Sequence, residues 1–235
     1  MVWIIGEKKV YLKKNNTDFL LMYNILYHKF GFLNWWPGET KFEILVGAIL
    51  TQQTSWKNVD KAIKNLKENN MLNIEKISNC NISDLEELVR PSGFYKQKAN
   101  RLKSICNFIL NNYGNLDNFL SIDIKELREK LLNLNGVGKE TADSIILYAS
   151  EKPIFVIDAY TKREFSRIFG IKETDYDELQ KLVETNIPKD VKLYKDFHAQ
   201  IVELGKEYCN KNPLCANCPM NLTCLYFRRI DHAET

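Results

Sequence analysis

The residues with the clearest chemical signature in this sequence are cysteines near its C-terminal end. The chain has six cysteines, and four of them follow the spacing Cys-x5-Cys-x2-Cys-x5-Cys, at Cys209, Cys215, Cys218 and Cys224. Two thiolates separated by two residues can both turn onto one metal centre, and four can complete either a cubane iron–sulfur cluster or a zinc tetrahedron. This group therefore predicts a metal site. The metal is either an iron–sulfur cluster or zinc, and the spacing favours iron–sulfur only slightly, because zinc ribbons usually pair two Cys-x2-Cys motifs.

A second candidate for chemistry is a turn with two glycines at residues 134–142, Leu-Asn-Gly-Val-Gly-Lys-Glu-Thr-Ala. Gly136 and Gly138 permit a tight hairpin around Val137 and let a phosphate approach the backbone. The helix that follows would offer free N–H groups and the positive end of its dipole, and Lys139 adds a positive charge. The turn therefore predicts a grip on the DNA backbone that does not depend on base sequence. The alternative is a plain connection between two helices.

The third candidate is a carboxylate, Asp158, which stands where an apolar extended run becomes a helix. Aspartate is among the best N-cap residues, so a purely structural role is the simpler interpretation. The apolar run before it would desolvate the acid, and the turn with two glycines precedes it closely. A carboxylate beside a breaking N-glycosidic bond stabilises the oxocarbenium-like sugar and can orient the attacking water. The two roles are compatible in one residue.

Helices must position these groups, because apolar residues recur at three- and four-residue spacing along most of the chain. The pattern predicts about ten helices and no sheet, an all-α protein, with a short hairpin within residues 1–12 as the exception. The 235 residues carry a net charge of +3 and are 45% hydrophobic, ordinary values for a globular protein of one or two domains. No apolar run is long enough for a signal sequence or a membrane span. We therefore expect a cytoplasmic protein that does not contact membranes, and nothing in the sequence demands more than a monomer.

Together these residues resemble the endonuclease III superfamily of helix–hairpin–helix base-excision DNA glycosylases. The resemblance runs from Phe42 to Cys224 and includes FEILVGAILTQQTSWKNVDKAIKNL, LNGVGKETADSIILYA and VIDAYTKREFSRIFG besides the cysteines. It implies DNA repair by removal of a damaged base. The implied partner is double-stranded DNA whose damaged base is flipped out of the stack, and this partner would place the protein on the nucleoid in a prokaryote.

The same resemblance implies a fold of two all-α lobes. One lobe is a central helical barrel at residues 41–155, with the helix–hairpin–helix at 126–149. The other combines residues 13–40 with 156–235 and carries a [4Fe-4S] cluster, which leaves zinc as the less favoured metal.

Individual residues follow from the resemblance as well. Asp158 matches the catalytic aspartate, and Gln53 matches the glutamine that fills the gap left by the flipped base. Three positions depart from the family pattern. The first cysteine spacing is five residues where six is usual, Asn135 stands where proline is common, and Glu140 stands where bifunctional members carry a lysine that forms a Schiff base with the sugar. Lys139 is one residue early, which rotates it about 100° around the helix. We therefore expect base removal without strong strand cleavage.

A closer likeness is to the 3-methyladenine glycosylases of this superfamily. It rests on Trp35-Trp36-Pro37, on VRPSGFYKQKA at 89–99, on Gly138-Lys139-Glu140 and on YDELQ at 176–180. N3- and N7-methylated purines are cationic, so they leave readily and stack favourably on electron-rich rings. Glu140 could add negative charge near such a cation. Five aromatic residues are the predicted walls of a base pocket. Each of them alone fits a core role better, but we expect at least two of the set to lie in the pocket: Trp35, Trp36, Trp56, Phe94 and Tyr95.

The predicted function is thus a monofunctional N-glycosylase acting on alkylated purines. One alternative is a bifunctional glycosylase and AP lyase, which would use Lys139 or Lys206 as its nucleophile. The other is a DNA-binding redox module without hydrolytic activity. The remaining candidates have simpler interpretations, since His198, Cys80 and Cys106 read as core residues, and the basic run at 96–103 reads equally well as a solvated helix face or a phosphate contact.

Overall fold

The computed structural model describes residues 2–5, 8–11, 18–172 and 175–231, and their regular secondary structure is helical apart from one pair of strands. Strand β1 (Val2–Ile5) and strand β2 (Lys8–Tyr11) pair antiparallel, with Val2 opposite Tyr11. The pair lies in the segment where a hairpin was predicted, and the other residues of that prediction, Met1, Gly6, Glu7 and Leu12, lie outside the described residues. The prediction of an all-α protein is confirmed by the elements that follow.

The helices cover most of the described chain. They are α1 (Phe19–Phe30), α2 (Lys41–Leu50), α3 (Trp56–Glu68), α4 (Ile74–Asn79), α5 (Ile82–Val89), α6 (Tyr95–Tyr113), α7 (Leu116–Ser121), α8 (Ile124–Leu132), α9 (Lys139–Ser144), α10 (Ala159–Phe169), α11 (Tyr176–Asn186), α12 (Val191–Glu207) and α13 (Leu225–Asp231). A π-helical turn, Ile145–Ala149, continues α9, and 3-10 turns occur at Arg90–Ser92 and Cys215–Asn217. None of the helices formed by the described residues is long and apolar enough to cross a lipid bilayer.

Local sequence explains most helix boundaries. Thr40, Asn115 and Asp158 each precede a helix and accept a hydrogen bond from a backbone N–H of its first turn. Gly170 ends α10 in a left-handed conformation, with φ of 71°, which an L side chain rarely adopts. The short helices α4, α7 and α13 were not predicted. Each has six or seven residues, too few for a helical period to show in the sequence.

By its contacts the chain divides into two compact units. The central unit comprises Asn34–Val156 and Lys189–Lys195, and the terminal unit comprises the described residues of Met1–Leu33, Ile157–Pro188 and Asp196–Thr235. Residues 34–40 thus group with the central unit, not with helix α1, because the Trp36 ring contacts Trp56 and Tyr148 there. Two domains were predicted, one at 41–155 and the other at 13–40 with 156–235. These domain bounds stay a prediction.

The core of the central unit forms around α2. Leu45, Val46 and Ile49 are fully buried, because α2 contacts α3, α6, α9 and the π-helical turn. Burying each such side chain contributes about 1.5–3 kcal/mol relative to exposure. Helix α6 in turn packs against α4 and α5. The core therefore fixes the ends of α2, α6 and α9, where the candidate residues of this unit lie.

Aromatic packing dominates the terminal unit. Phe19 of α1 contacts the ring of Phe165 at 4.9 Å between centroids. The buried carboxylate of Asp196 accepts hydrogen bonds from the Tyr23 hydroxyl and the Leu33 N–H, at 3.0 and 2.9 Å. Helices α10 and α12 approach closely at Gly205, where an added Cβ atom would overlap side chains of α10. These contacts hold α10, whose N-cap is Asp158, in a fixed place within the unit.

Candidate functional site

The turn with two glycines joins α8 to α9 in a helix–hairpin–helix, as predicted. Arg128 of α8 binds Asp143 of α9 through two contacts, Nε to Oδ1 at 2.7 Å and Nη2 to Oδ2 at 3.2 Å. Asp143 is fully buried, so the pair ties the two helices together behind the turn. Val137 is buried, and Gly136 has a φ of 80°, which requires glycine. The hairpin is therefore a rigid element.

The two glycines of the hairpin have different surroundings. A Cβ atom added at Gly138 would meet nothing within 4 Å, so the backbone there is open to a ligand. A Cβ atom at Gly136 would overlap the Nε and Cδ atoms of Arg101. At Gly136 the missing side chain makes room for Arg101. That a phosphate approaches the backbone at both glycines stays a prediction.

A recess of about 360 Å³ lies beside the hairpin, and we call it the hairpin recess. Gln53, Phe94 and Glu140 line it together with Gly136 and Gly138. Gln53 and Phe94 have φ angles of 54° and 45°, left-handed values that cost on the order of 1 kcal/mol for residues other than glycine. The Phe94 side chain is nevertheless 59% exposed. The structure thus brings Gln53, Glu140 and the hairpin to one concave surface, although they are far apart in the sequence.

Three of the predicted pocket residues form an aromatic cluster in the central unit. The rings of Trp35, Trp36 and Trp56 contact one another at centroid distances of 5.6 Å for Trp35 with Trp56 and 5.2 Å for Trp36 with Trp56. Trp36 also contacts Tyr148 at 5.0 Å. The cluster lies close on α2 because Gly47 has no side chain, and a Cβ there would be 3.3 Å from Trp36 Nε1. All three indoles are half-buried and so keep part of their surface accessible.

The other two predicted pocket residues have different neighbours. Phe94 lines the hairpin recess, and the guanidinium of Arg90 lies 4.8 Å from the centroid of the Tyr95 ring. Their assignment to a base pocket stays a prediction.

Asp158 is the N-cap of α10 and lies in the terminal unit. Its Oδ1 accepts hydrogen bonds from the N–H and the hydroxyl of Thr161, at 2.7 and 2.8 Å. The side chain is only 12% exposed. Burial by itself would raise the pKa of Asp158, but the His198 ring and the two Thr161 bonds outweigh it and lower this pKa below its ordinary value. Asp158 is therefore a carboxylate that stays ionised although it is nearly buried.

His198 is a neighbour of Asp158 that the sequence did not reveal. Its Nε2 lies 3.5 Å from Asp158 Oδ2, and its side chain is 6% exposed. The interpretation of His198 as a core residue holds for its burial but misses this contact. The two residues are forty positions apart, on α10 and α12, so no local pattern could have paired them.

The four C-terminal cysteines surround one cavity of the terminal unit. Cys209, Cys215, Cys218 and Cys224 all line it, with mostly apolar side chains between them. Burial, together with the charges of the other three thiols, raises the pKa of the Cys218 thiol to about 12. Within the described residues, no three His, Cys, Asp or Glu side chains lie close enough to hold a single metal ion.

Two arginines of α10 hold the loop that begins at Cys209. Arg163 Nε donates to the Cys209 carbonyl at 2.7 Å. Arg167 Nη1 donates to the Asn210 carbonyl at 2.7 Å and lies 3.4 Å from the Cys209 sulfur. These arginines were not predicted. Their partners are backbone carbonyls, which every residue has, so no sequence pattern could indicate these contacts.

Comparison with known proteins identifies the fold. The profile of the HhH-GPD superfamily of base excision DNA repair proteins matches residues 46–189. The chain belongs to this superfamily, as a DNA repair glycosylase. The predicted resemblance to the superfamily is thereby confirmed.

Among relatives of this HhH-GPD protein, a Methanocaldococcus jannaschii protein assigned as a DNA repair glycosylase is 51% identical over 218 residues, 91% of this chain and 99% of that one. A crystal structure of the 3-methyladenine DNA glycosylase of H. pylori bound to 1,N6-ethenoadenine is 36% identical, with a TM-score of 0.69, and covers 81% of this chain and 97% of that one. An endonuclease III structure in a non-covalent DNA complex shares the fold at 22% identity, with a TM-score of 0.78, over 92% and 99% of the two chains.

Proposed function

We propose that this glycosylase is monofunctional and hydrolyses the N-glycosidic bond of alkylated purine bases in double-stranded DNA. The observation that carries the proposal is the cluster of Trp35, Trp36 and Trp56, which offers half-buried, electron-rich ring surface. A methylated purine with a positive charge gains cation–π energy on such rings, about 2 kcal/mol or more when desolvated. The 36% identity to a 3-methyladenine glycosylase supports the same substrate class.

Asp158 is the proposed catalytic residue. Its carboxylate stays ionised because His198 and Thr161 outweigh the effect of burial on its pKa. When the bond between the sugar C1′ and the base nitrogen breaks, the base leaves with the electron pair and the sugar becomes cationic. A fixed negative charge stabilises that cation. The carboxylate can also orient the water whose oxygen then bonds to C1′, and it can pass to solvent the proton that this water loses. A cationic base leaves as a neutral molecule, so it needs no proton from an acid.

The absence of a lysine at position 140 supports the monofunctional assignment. A lyase needs an amine that attacks C1′ and forms a Schiff base, and Glu140, which lines the hairpin recess, has no amine. The two alternative nucleophiles lie elsewhere than position 140. Lys139 is the first residue of α9, one position early, and the Nζ of Lys206 lies 3.6 Å from Glu203. Hydrolysis by water then leaves an intact strand with an abasic site.

DNA binding is assigned to the hairpin and the hairpin recess. The open backbone at Gly138 and the positive charge of Lys139 suit a phosphate at the start of α9. Gln53 is exposed and held in a strained backbone conformation, which fits a residue that fills the gap left by a flipped base. The Phe94 ring is exposed on the same surface and can stack on a base.

A [4Fe-4S] cluster is the proposed cofactor, held by Cys209, Cys215, Cys218 and Cys224. Their sulfurs line one largely apolar cavity, which fits a group with four ligands. A single zinc ion would need its sulfurs about 3.8 Å apart, given zinc–sulfur bonds of 2.3 Å. The four cysteines would hold a cubane cluster through one thiolate each, which does not require the thiolates to meet at a single ion. When bound, the cluster would cross-link the C-terminal loop.

The test of the proposed function is base release from methylated DNA, assayed with and without alkali. We expect free 3-methyladenine or 7-methylguanine, with strand breaks only after alkali. Strand breaks without alkali, together with an adduct trapped by borohydride, would assign lyase activity and make Lys139 and Lys206 the next residues to replace. A protein that binds DNA but releases no base from any tested lesion would instead support a redox or binding module.

The test of the cofactor is metal analysis of the protein purified without oxygen. Iron with acid-labile sulfide and a broad visible absorption band would support the cluster. Stoichiometric zinc without iron would refute it.

A further inference from the structure

A chain of hydrogen bonds links the hairpin to the loop that carries Gln53. Arg101 Nη1 donates to the side-chain oxygen of Gln52 at 2.6 Å. The amide nitrogen of Gln52 then donates to the Gly136 carbonyl at 2.9 Å and to the Thr141 hydroxyl at 3.0 Å. One glutamine thus connects α6, the loop after α2 and both sides of the hairpin turn, all within the central unit.

The backbone of the hairpin is shaped to fit this chain of bonds. A Cβ atom at Gly136 would overlap the Arg101 side chain, so the guanidinium lies directly on the hairpin backbone. Gln52 uses both ends of its amide, with its oxygen accepting and its nitrogen donating. Neither leucine nor glutamate could make both contacts. Arg101, Gln52 and Gly136 therefore fit one another both in their hydrogen-bonding groups and in their positions.

Helix α6 also anchors the two strained loops through a second cation. Lys98, one turn before Arg101, is 1% exposed and donates to the Leu50 carbonyl at 2.9 Å and the Ser92 carbonyl at 2.6 Å. Burial and the charge of Arg101 lower the pKa of Lys98 to about 8. Leu50 is the last residue before the Gln53 loop, and Ser92 comes just before the turn that holds Phe94. Helix α6 therefore holds the starting points of both loops.

We propose that Arg101 and Gln52 are positioning residues, which set the place of Gln53 relative to the phosphate-binding hairpin. This rests on the proposed function, because the consequence of correct placement is base extrusion. The hairpin grips the backbone while Gln53 occupies the position of the lost base, so both must be in register on the same duplex. A displacement of about 1 Å in such an arrangement can reduce the rate roughly 100-fold.

The experiment compares two variants that break the chain of bonds at different places. Arg101→Met keeps much of the packing and removes the guanidinium. Gln52→Glu keeps the bond to Arg101, but it cannot donate to the Gly136 carbonyl and would repel that oxygen. The control is Lys64→Met, which removes one positive charge from the exposed face of α3, where the lysine side chain is 71% exposed. If one variant fails to fold, the other still tests the proposal.

The first readout is hydrogen exchange in the free protein. The N–H of Thr54 bonds to the Thr51 carbonyl in the Gln53 loop, and the N–H of Val137 bonds to the Leu134 carbonyl in the hairpin. We expect both amides to exchange faster, by roughly tenfold, in both variants and not in the control. Unchanged exchange of the Val137 amide would overturn the proposal. This readout needs no DNA, so it still decides the coupling if the proposed glycosylase activity fails.

The second readout separates positioning from direct contact with DNA. We expect single-turnover base excision to fall roughly 10- to 100-fold in both variants, while affinity for undamaged DNA and its salt dependence stay as in the wild type. If Arg101 itself bound a phosphate, affinity would weaken on all DNA and the salt slope would drop by about one. That result would overturn the proposal. Wild-type excision rates in variants whose melting temperature is lower would also overturn it, because the bonds would then serve stability alone.

Discussion

The substitution Asp158→Asn separates the two roles that this residue can have. Asparagine is as good an N-cap as aspartate, and its side-chain oxygen can still accept the 2.7 and 2.8 Å bonds from Thr161. The start of α10 should therefore remain intact. The negative charge beside the sugar is lost, which should reduce base release by about 100-fold or more, the loss typical of removing one preorganised electrostatic contact.

Asp158→Ala is the matched comparison. It removes the charge and the cap together, so it should lose about the same activity as Asp158→Asn and a further ~1 kcal/mol of unfolding free energy. For a chain of this size that corresponds to a melting temperature lower by about 2–4 °C. If Asp158 were only a cap, Asp158→Asn would keep full activity and only Asp158→Ala would be impaired.

The assay is single-turnover release of methylated purine, with DNA affinity and the melting temperature measured on the same samples. Because the pKa of Asp158 lies below its ordinary value of 3.8, the carboxylate should stay ionised at every pH above that value. Its contribution to stability is complete above 3.8 and is lost as the pH falls from there through the lower folded pKa. We therefore expect no loss of rate from this group between pH 5 and 8. Full activity in Asp158→Asn would refute the mechanism.

Four further predictions concern the helices and the cysteine loop. Gly205→Ala should lower the unfolding free energy by about 1–3 kcal/mol, measured by urea titration. The reason is that its Cβ atom would lie 2.5 Å from the Oε1 atom of Glu164 and overlap a tyrosine of α10. Unchanged stability would show that α10 and α12 separate easily. Burial raises the pKa of Glu164 well above 4.5, and the charges of Cys209 and Asp158 raise it further. The wild type should therefore lose stability as the pH rises through that raised pKa, whereas Glu164→Met should not. Urea midpoints that change in the same way for the wild type and the variant from pH 5 to 9 would contradict this. Arg128→Met should cost about 3–5 kcal/mol, seen by calorimetry, because it leaves a buried carboxylate behind the hairpin without its arginine. Cys218→Ser should lose iron and visible absorbance, while a matched Cys106→Ser variant should keep both.

The sequence alone was sufficient for the local elements. Periodic apolar residues predicted the long helices, Asp158 was identified as a helix N-cap, and the pair Gly136 and Gly138 predicted a helix–hairpin–helix. Each of these depends on neighbours within a few residues, which are visible in the order of the chain. The resemblance to the glycosylase superfamily rests on the same kind of local motif, and the family comparison confirms it.

The contacts that adjust each site were decided by tertiary structure. The His198 ring reaches Asp158 from another helix, and Arg101 fills the space beside Gly136. Gln52 bonds to both Arg101 and the Gly136 carbonyl. Each of these contacts joins residues that lie far apart in the sequence, so no periodicity or spacing could reveal it. Burial, which determines whether a carboxylate or a lysine shifts its pKa, likewise depends on the packing of helices that are distant in sequence. The chemical groups could be read from the sequence, whereas their neighbours, and hence their charge states, exist only in the folded protein.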